Sequence, residues 1–287
     1  MSAKVYDVIV IGGGAAGLYA AGIASRNSLS VCLLEKKHKT GLKLSITGKG
    51  RCNITNSASM LEFINLTRNG KFLHSAYRTL TNTDLITFFE NLNVPLKLER
   101  GGRYFPASGS AHDIVKALNS FAVNAGAEIL TSYQVNSIEK TDDVFIINKS
   151  LKAKNIIVST GGVSYPKTGS EGDGYKFAKQ FGHKIIKPLP ALVPITLNSP
   201  YLKNLNKLKL KNVEIEIKLS GKTLAREFGE MEFSVFGADG PIILSVSGVV
   251  SENAGKPLSL HINLKPAVKK EEFEKRFLKE LDTCGAL

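Results

Sequence analysis

Gly12, Gly14 and Gly17 stand at G-x-G-x-x-G spacing straight after the β-branched run VYDVIVI (5–11), and an acid, Glu35, closes the next such run 18 positions beyond Gly17. These residue types at this spacing can hold a dinucleotide. Gly12 permits a tight turn, Gly14 lets the backbone approach a pyrophosphate, and Gly17 lets a helix pack closely on the preceding strand. The helix that follows would turn free N–H groups and the positive end of its dipole toward phosphates. Glu35 is placed to accept hydrogen bonds from ribose hydroxyls. Its charge repels a 2′-phosphate, so NAD or FAD is expected rather than NADP.

A second set of candidates lies in GLKLSITGKGRCNITN (41–56). Gly48 and Gly50 expose backbone, Lys43 and Arg51 bring cations to a phosphate or an electron-rich ring edge, and Asn53 and Asn56 offer amides to ring heteroatoms. The extended FAD molecule needs such a second wall along its length, which favours it over NAD. Cys52 has no Cys-x-x-Cys partner, so packing is expected of it rather than redox work. His112 and His183 sit at expected helix ends, and Tyr104 and Phe105 read as core anchors. No His/Cys/carboxylate cluster has metal-ligand spacing and no G-x-S-x-G elbow occurs, so no metal is expected and no catalytic residue is identified. A hydride chemistry carried by a cofactor suits that pattern.

The elements that must position these residues follow from the same stretches. Val5 to Ile11 reads as a strand buried on both faces of a parallel sheet, LYAAGIASRN as a helix, and Leu29 to Glu35 as the next strand. Lys36 to Ser59 is a long polar segment that belongs to a site rather than to a linker. Residues 128–147 alternate like a small antiparallel meander, with Val135 in its first strand as a neighbour for an adenine. AKNIIVSTGG (153–162) is a strand whose Thr160-Gly161 turn returns to the cofactor. Pro188, Pro190, Pro194 and Pro200 mark a boundary. Beyond it ALVPITL, VEIEIKLSG, GEMEFSVFG, PIILSVSG and PLSLHINLK all read as strands of a β-rich, barrel-like region, followed by a helix in KKEEFEKRFLKEL. The expected division is 1–190 for a Rossmann-like α/β domain and 191–287 for an inserted β-rich domain.

With 43% hydrophobic residues, the 287-residue chain can bury a real core. Its net charge of +13 suggests an anionic partner. The lysines are scattered rather than gathered in a tail, so nucleic acid is not expected as the main partner. Three cysteines are too few for a disulfide framework. No leader pattern or run of about 20 apolar residues occurs, so a cytoplasmic protein without a membrane partner is expected.

GGGAAG with Glu35, GLKLSITGKGRCNITN, RYFPASGSAHDIVKAL and STGGVSYPKTGSEGDGYKFAKQFGHKIIKPLPALVPI together resemble the BaiN-like flavoproteins, also described as aminoacetone-oxidase-like or NAD(P)/FAD-dependent oxidoreductases. The resemblance runs from Val5 to Ile195 and resumes over 229–247. It implies an FAD domain in two chain segments around an inserted domain, and hydride transfer between flavin and a small organic substrate, with NAD(P)H as reductant. Carried over by motif position, the cofactor contacts are Gly12, Gly14, Ala16, Glu35, Lys36, Lys43, Leu44, Arg51, Cys52, Asn53, Val135, Thr160 and Gly161, to which the glycine spacing adds Gly17 and Gly50. In that family the chain returns to the FAD domain through a last strand and a glycine-rich segment. Here it stops before such a segment, which leads to the expectation of a truncated product, a fragment, or a second polypeptide supplying the remainder. The competing reading from the charge is a non-enzymatic nucleotide- or nucleic-acid-binding protein, and a third is an inert truncated chain.

Overall fold

The computed structural model describes residues 4–141, 143–268 and 270–284. Contacts divide the chain into two compact units, Met1–Ile185 and Ile186–Leu287.

The first unit is built on strand β1 (Val5–Ile11), helix α1 (Ala15–Arg26) and strand β2 (Val31–Leu34). A long excursion follows: α2 (Leu42–Ile46), a 3₁₀ turn over Thr47–Gly50, β3 (Thr55–Asn56), α3 (Met60–Leu66), a second 3₁₀ turn (Gly70–Leu73), α4 (His74–Thr79), α5 (Asn82–Asn91), β4 (Leu96–Glu99), β5 (Arg103–Pro106) and α6 (Ala111–Asn124). The chain then adds β6 (Glu128–Leu130), β7 (Ile138–Lys140), β8 (Phe145–Ile147), β9 (Leu151–Val158) and α7 (Asp173–Gln180). The main sheet has the order β6-β2-β1-β9-β8-β7; its first four strands run parallel, and β8 and β7 are antiparallel additions.

Period-two alternation in β1 serves both faces. Val8 and Val10 pack with Leu18, Ala21, Ile114 and Leu118 of α1 and α6, while Ile9 and Ile11 pack with Val135, Ile138, Ile147 and Phe177 on the other side. A smaller sheet, β3-β5-β4, lies inside the excursion.

The antiparallel meander expected over 128–147 does not form as one unit: β6 pairs parallel with β2 at the opposite edge of the sheet from β7 and β8, and the antiparallel pairs are β7 with β8 and β8 with β9. Strand β6 ends at Leu130, so Val135 lies in the irregular stretch before β7 and not in a strand. Lys36–Ser59 is also more regular than its composition predicts. Lys43 and Leu44 sit on α2, which packs against α6.

The second unit is an antiparallel sheet in the order β10 (Ile195–Thr196), β13 (Gly237–Asp239), β12 (Lys222–Ser234), β11 (Lys209–Leu219) and β14 (Leu258–Asn263). Helices α8 (Leu202–Leu205), α9 (Pro241–Glu252) and α10 (Lys270–Cys284) complete it. Val213, Ile215 and Ile217 point into the core with Met231 and Phe233, and Glu214, Glu216 and Lys218 alternate with them. PIILSVSG, expected as a strand, is the first part of α9. A short apolar run fits a buried helix as well as a strand, and Pro241 at the helix start together with Ile242, Ile243, Val246 and Ser247 on one buried face settles it as helix.

Candidate functional site

A cavity of about 340 Å³ opens at the carboxyl ends of β1, β2 and β9. The chain runs outward from β1 to β2 on one side and returns through β9 on the other, so the cavity lies at the topological switch point of the sheet, where open α/β sheets bind ligands.

Backbone bonds fix the floor. Gly12 N–H donates to Leu34 O at 2.8 Å, and Ser159 N–H to Ile11 O at 2.8 Å. The Ser159 hydroxyl donates to the Ile11 and Gly12 carbonyls at 3.0 and 2.9 Å. Gly12 has φ +106°, and a Cβ there would meet Ser159 O at 2.6 Å. At Gly17 a Cβ would run into the Gly12 carbonyl, which is why α1 can approach β1 so closely. A Cβ at Gly14 would meet nothing within 4 Å; the space in front of it is open.

Helix α1 begins at that opening with Gly14 as its N-cap, no side-chain cap and no acid in its first turn. Its free N–H groups and positive dipole end are therefore available to an anion. Glu35 stands beside them: Oε2 accepts the Gly13 N–H at 2.8 Å and Oε1 accepts the Lys37 N–H at 2.8 Å. Each carboxylate oxygen keeps a further lone pair for a hydroxyl.

The cations of the site differ in how committed they are. Lys36 Nζ is held by Asp173 at 2.6 Å and Glu171 at 3.0 Å. Burial pulls its pKa down, but the bonds to the two carboxylates outweigh it and the pKa is raised. Burial likewise works against the Asp173 carboxylate, and Lys36 overrides it and lowers the pKa. Lys43, by contrast, has the Ser164 hydroxyl, at 3.2 Å, as its sole polar partner among the described residues.

Of the sequence-predicted residues, Gly12, Gly14, Ala16, Glu35, Lys36, Lys43, Leu44, Val135, Thr160 and Gly161 line this cavity. Gly17 supports it from behind. Gly50, Arg51, Cys52 and Asn53 do not line it. Arg51 Nη1 reaches both oxygens of Glu99, at 3.1 and 3.0 Å, and its guanidinium lies 4.2 Å from the Phe105 ring centroid. The Glu99 carboxyl is held below its ordinary pKa by Lys97 and, after it, by Arg51. Cys52 is buried in the α1–α6 core, and that burial pushes its thiol pKa up. Cys32 is also raised by burial, to about 11, so neither thiol is poised as a thiolate.

The sequence reading passed over Thr47, Tyr133, Ser159, Ser170 and Asp173, which also line the cavity. For Asp173 a signal was available, since the acid-glycine run EGDG stands at a helix start where a carboxylate can meet a lysine. Next to this cavity, sharing Ser159–Gly161 and Phe177 with it, lies a second pocket of about 660 Å³ walled by Phe145, Ile156, Val158 and Phe181. Among the described residues no group of three or more metal-ligating side chains converges, and no helix is long and apolar enough to cross a membrane.

Glycine turn, uncapped helix, ribose-type acid and switch-point cavity together define a Rossmann-like FAD-binding fold. Residues 6–286 match the family model described as HI0933-like protein Rossmann domain, and the chain belongs to that family. It is 27% identical over 283 residues to a 3-dehydro-bile acid delta(4,6)-reductase of Clostridium scindens, covering 96% of this chain and 68% of that protein. It is 30% identical over 271 residues to a ribosomal RNA dihydrouridine synthase of Escherichia coli, covering 93% and 66%. A ribosomal RNA dihydrouridine synthase of Haemophilus influenzae is 33% identical over 248 residues, covering 83% and 60%. This chain thus spans about two thirds of the length of the curated relatives it matches.

Proposed function

We propose that the chain carries the FAD site of a flavin-dependent reductase that saturates a carbon–carbon double bond conjugated to a carbonyl. The observation that carries this reading is the meeting of the uncapped α1 N-terminus, the open space at Gly14 and the Glu35 carboxylate in one cavity. These residues fit FAD: the α1 N–H groups would take the pyrophosphate, Glu35 a ribose, and the stretch around Val135 the adenine side. Lys43, without a carboxylate partner among the described residues, would face the developing negative charge of the reduced ring. Such a cofactor supplies hydride from its ring, with NAD(P)H as the electron source. The names of the relatives support the bond type. A delta(4,6)-reductase and a dihydrouridine synthase both saturate a ring double bond in conjugation with a carbonyl.

Uridine in RNA is the substrate the charge favours. Residues 1–185 hold 23 lysines and arginines against 13 acids, net +10, whereas residues 186–287 hold 15 against 12, net +3. An excess on the unit that holds the cavity suits a polyanion. A second reading, a steroid-like substrate, is supported by the apolar pocket beside the cavity.

The purified protein is expected to be yellow, with the near-ultraviolet and blue bands of an oxidised flavin, to be bleached anaerobically by NADH or NADPH, and then to convert uridine to dihydrouridine in RNA, read by mass spectrometry of the digested nucleosides. A colourless protein that cannot be loaded with FAD would remove the reading. Turnover of a steroid enone in place of RNA would select the second one.

A further inference from the structure

The segment from α3 through the second 3₁₀ turn to α4 (60–79) contributes little to the core: only Ile64 and Gly70 are buried in it. Its outer surface is apolar and cationic at once. Phe72 is 88% exposed and Leu66 85%, and the Phe63 ring stacks on Tyr77 with centroids 4.8 Å apart. Lys71, in the same 3₁₀ turn as Phe72, and His74 and Arg78, on α4 directly after it, are all exposed. None of the three has a carboxylate partner among the described residues. The sole acid of the segment, Glu62, is committed to the α3 capping box, where it accepts from the Ser59 N–H at 2.8 Å and the Ser59 hydroxyl at 2.7 Å.

We infer that this face is a docking surface for single-stranded RNA. An exposed ring offers a base a stacking platform of any sequence, and lysine and arginine beside it track the phosphates. Charge complementarity selects the occupant, because Lys71 and Arg78 are exposed on a segment whose one acid is held by Ser59, which attracts phosphodiesters and repels a basic partner. The inference deepens the RNA reading of the function and rests on it for the choice of RNA as ligand, but its residues are separate from the cofactor cavity.

The test is fluorescence anisotropy of a labelled single-stranded oligoribonucleotide titrated with the full chain over a salt series. Phe72→Ala is expected to weaken binding roughly tenfold and Phe72→Tyr to preserve it. Lys71→Ala with Arg78→Ala is expected to lower the slope of log K against log salt by about 1.4, at about 0.7 per phosphate contact on a single strand. Flavin content and thermal midpoint should stay at wild-type values in all of them. Unchanged affinity and slope in these variants would overturn the surface while leaving the flavin reading intact. A chain that takes up no flavin yet loses RNA binding on Phe72→Ala would keep the surface and remove the reductase. Sedimentation with phosphatidylserine vesicles in the absence of any RNA binding would overturn the RNA surface in favour of a lipid one.

Discussion

The two units of this chain use β-structure in opposite ways. In the first, parallel strands, β1 and β2 buried on both faces and β9 partly exposed, bring three carboxyl ends to one edge, and the loops leaving that edge carry Gly12–Gly14, Glu35 and Thr160 into a single cavity. In the second, antiparallel strands bury one face, and the other face carries ion pairs such as Glu216 with Lys218 and Arg226. A parallel sheet gathers loop residues distant in sequence at one end, whereas a hairpin sheet gives near neighbours to one another. The contrast explains why the residues that line this cavity all come from the first unit.

The comparison can be broken at its cores. Ile215, fully buried in the second unit, is expected on replacement by Ala to cost about 2–5 kcal/mol, measured by chemical denaturation, with the flavin spectrum of the loaded protein retained. Loss of the spectrum would show that the second unit shares in the site. Gly17→Val in the first unit is expected to cost about 1–3 kcal/mol through overpacking against the Gly12 carbonyl and also to abolish FAD retention on gel filtration. A protein that tolerates valine there and stays yellow would separate the glycine from the cofactor.

Smaller effects sharpen it. Glu35→Gln keeps an acceptor for the Gly13 N–H but loses the charge, so FAD affinity is expected to fall about tenfold, the scale of one weakened charge-assisted hydrogen bond, by isothermal titration. Arg51→Gln, in contrast, is expected to leave that affinity within about twofold of wild type, because its guanidinium is engaged by Glu99 and Phe105 and not by the cavity. An equal loss in both variants would place Arg51 at the cofactor after all. In the second unit the Glu216 pKa is lowered from 4.5 to about 2, first by Lys218 and then by Arg226. A carboxyl with a depressed folded pKa stabilises above its unfolded value and loses that contribution as pH falls toward its folded one. The part of acid destabilisation that falls between pH 4.5 and 2 is therefore expected to shrink in Glu216→Gln, followed by circular dichroism.

Much of the site was legible because its signals are local. The glycine spacing requires specific backbone conformations, and the acid after β2 follows at a distance set by one helix and one strand, so Gly12, Gly14 and Glu35, which line the cavity, were reached from neighbours along the chain. The TGKGRCNITN stretch was less transparent. Its composition suits a cofactor wall, yet Thr47 alone of those ten residues lines the cavity. Cys52 turns into the core, and Arg51 finds an acid 48 residues away. PIILSVSG misled for a different reason, since its two serines stand two apart, Ser245 exposed and Ser247 buried, and so alternate like a strand instead of marking the polar face of a helix.

What the sequence by itself determined is the βαβ unit, its dinucleotide chemistry and the alternation of the second sheet, because backbone conformation and hydrophobic period are written within a few residues. Tertiary structure alone decided which cations are spent and which are free. Lys36 is neutralised by Glu171 and Asp173, Arg51 by Glu99, while Lys43 has among the described residues a serine alone, and Lys71 and Arg78 are exposed. Every lysine carries the same charge in a sequence; ion pairing acts over a few ångströms in space, and only the folded chain sets those distances.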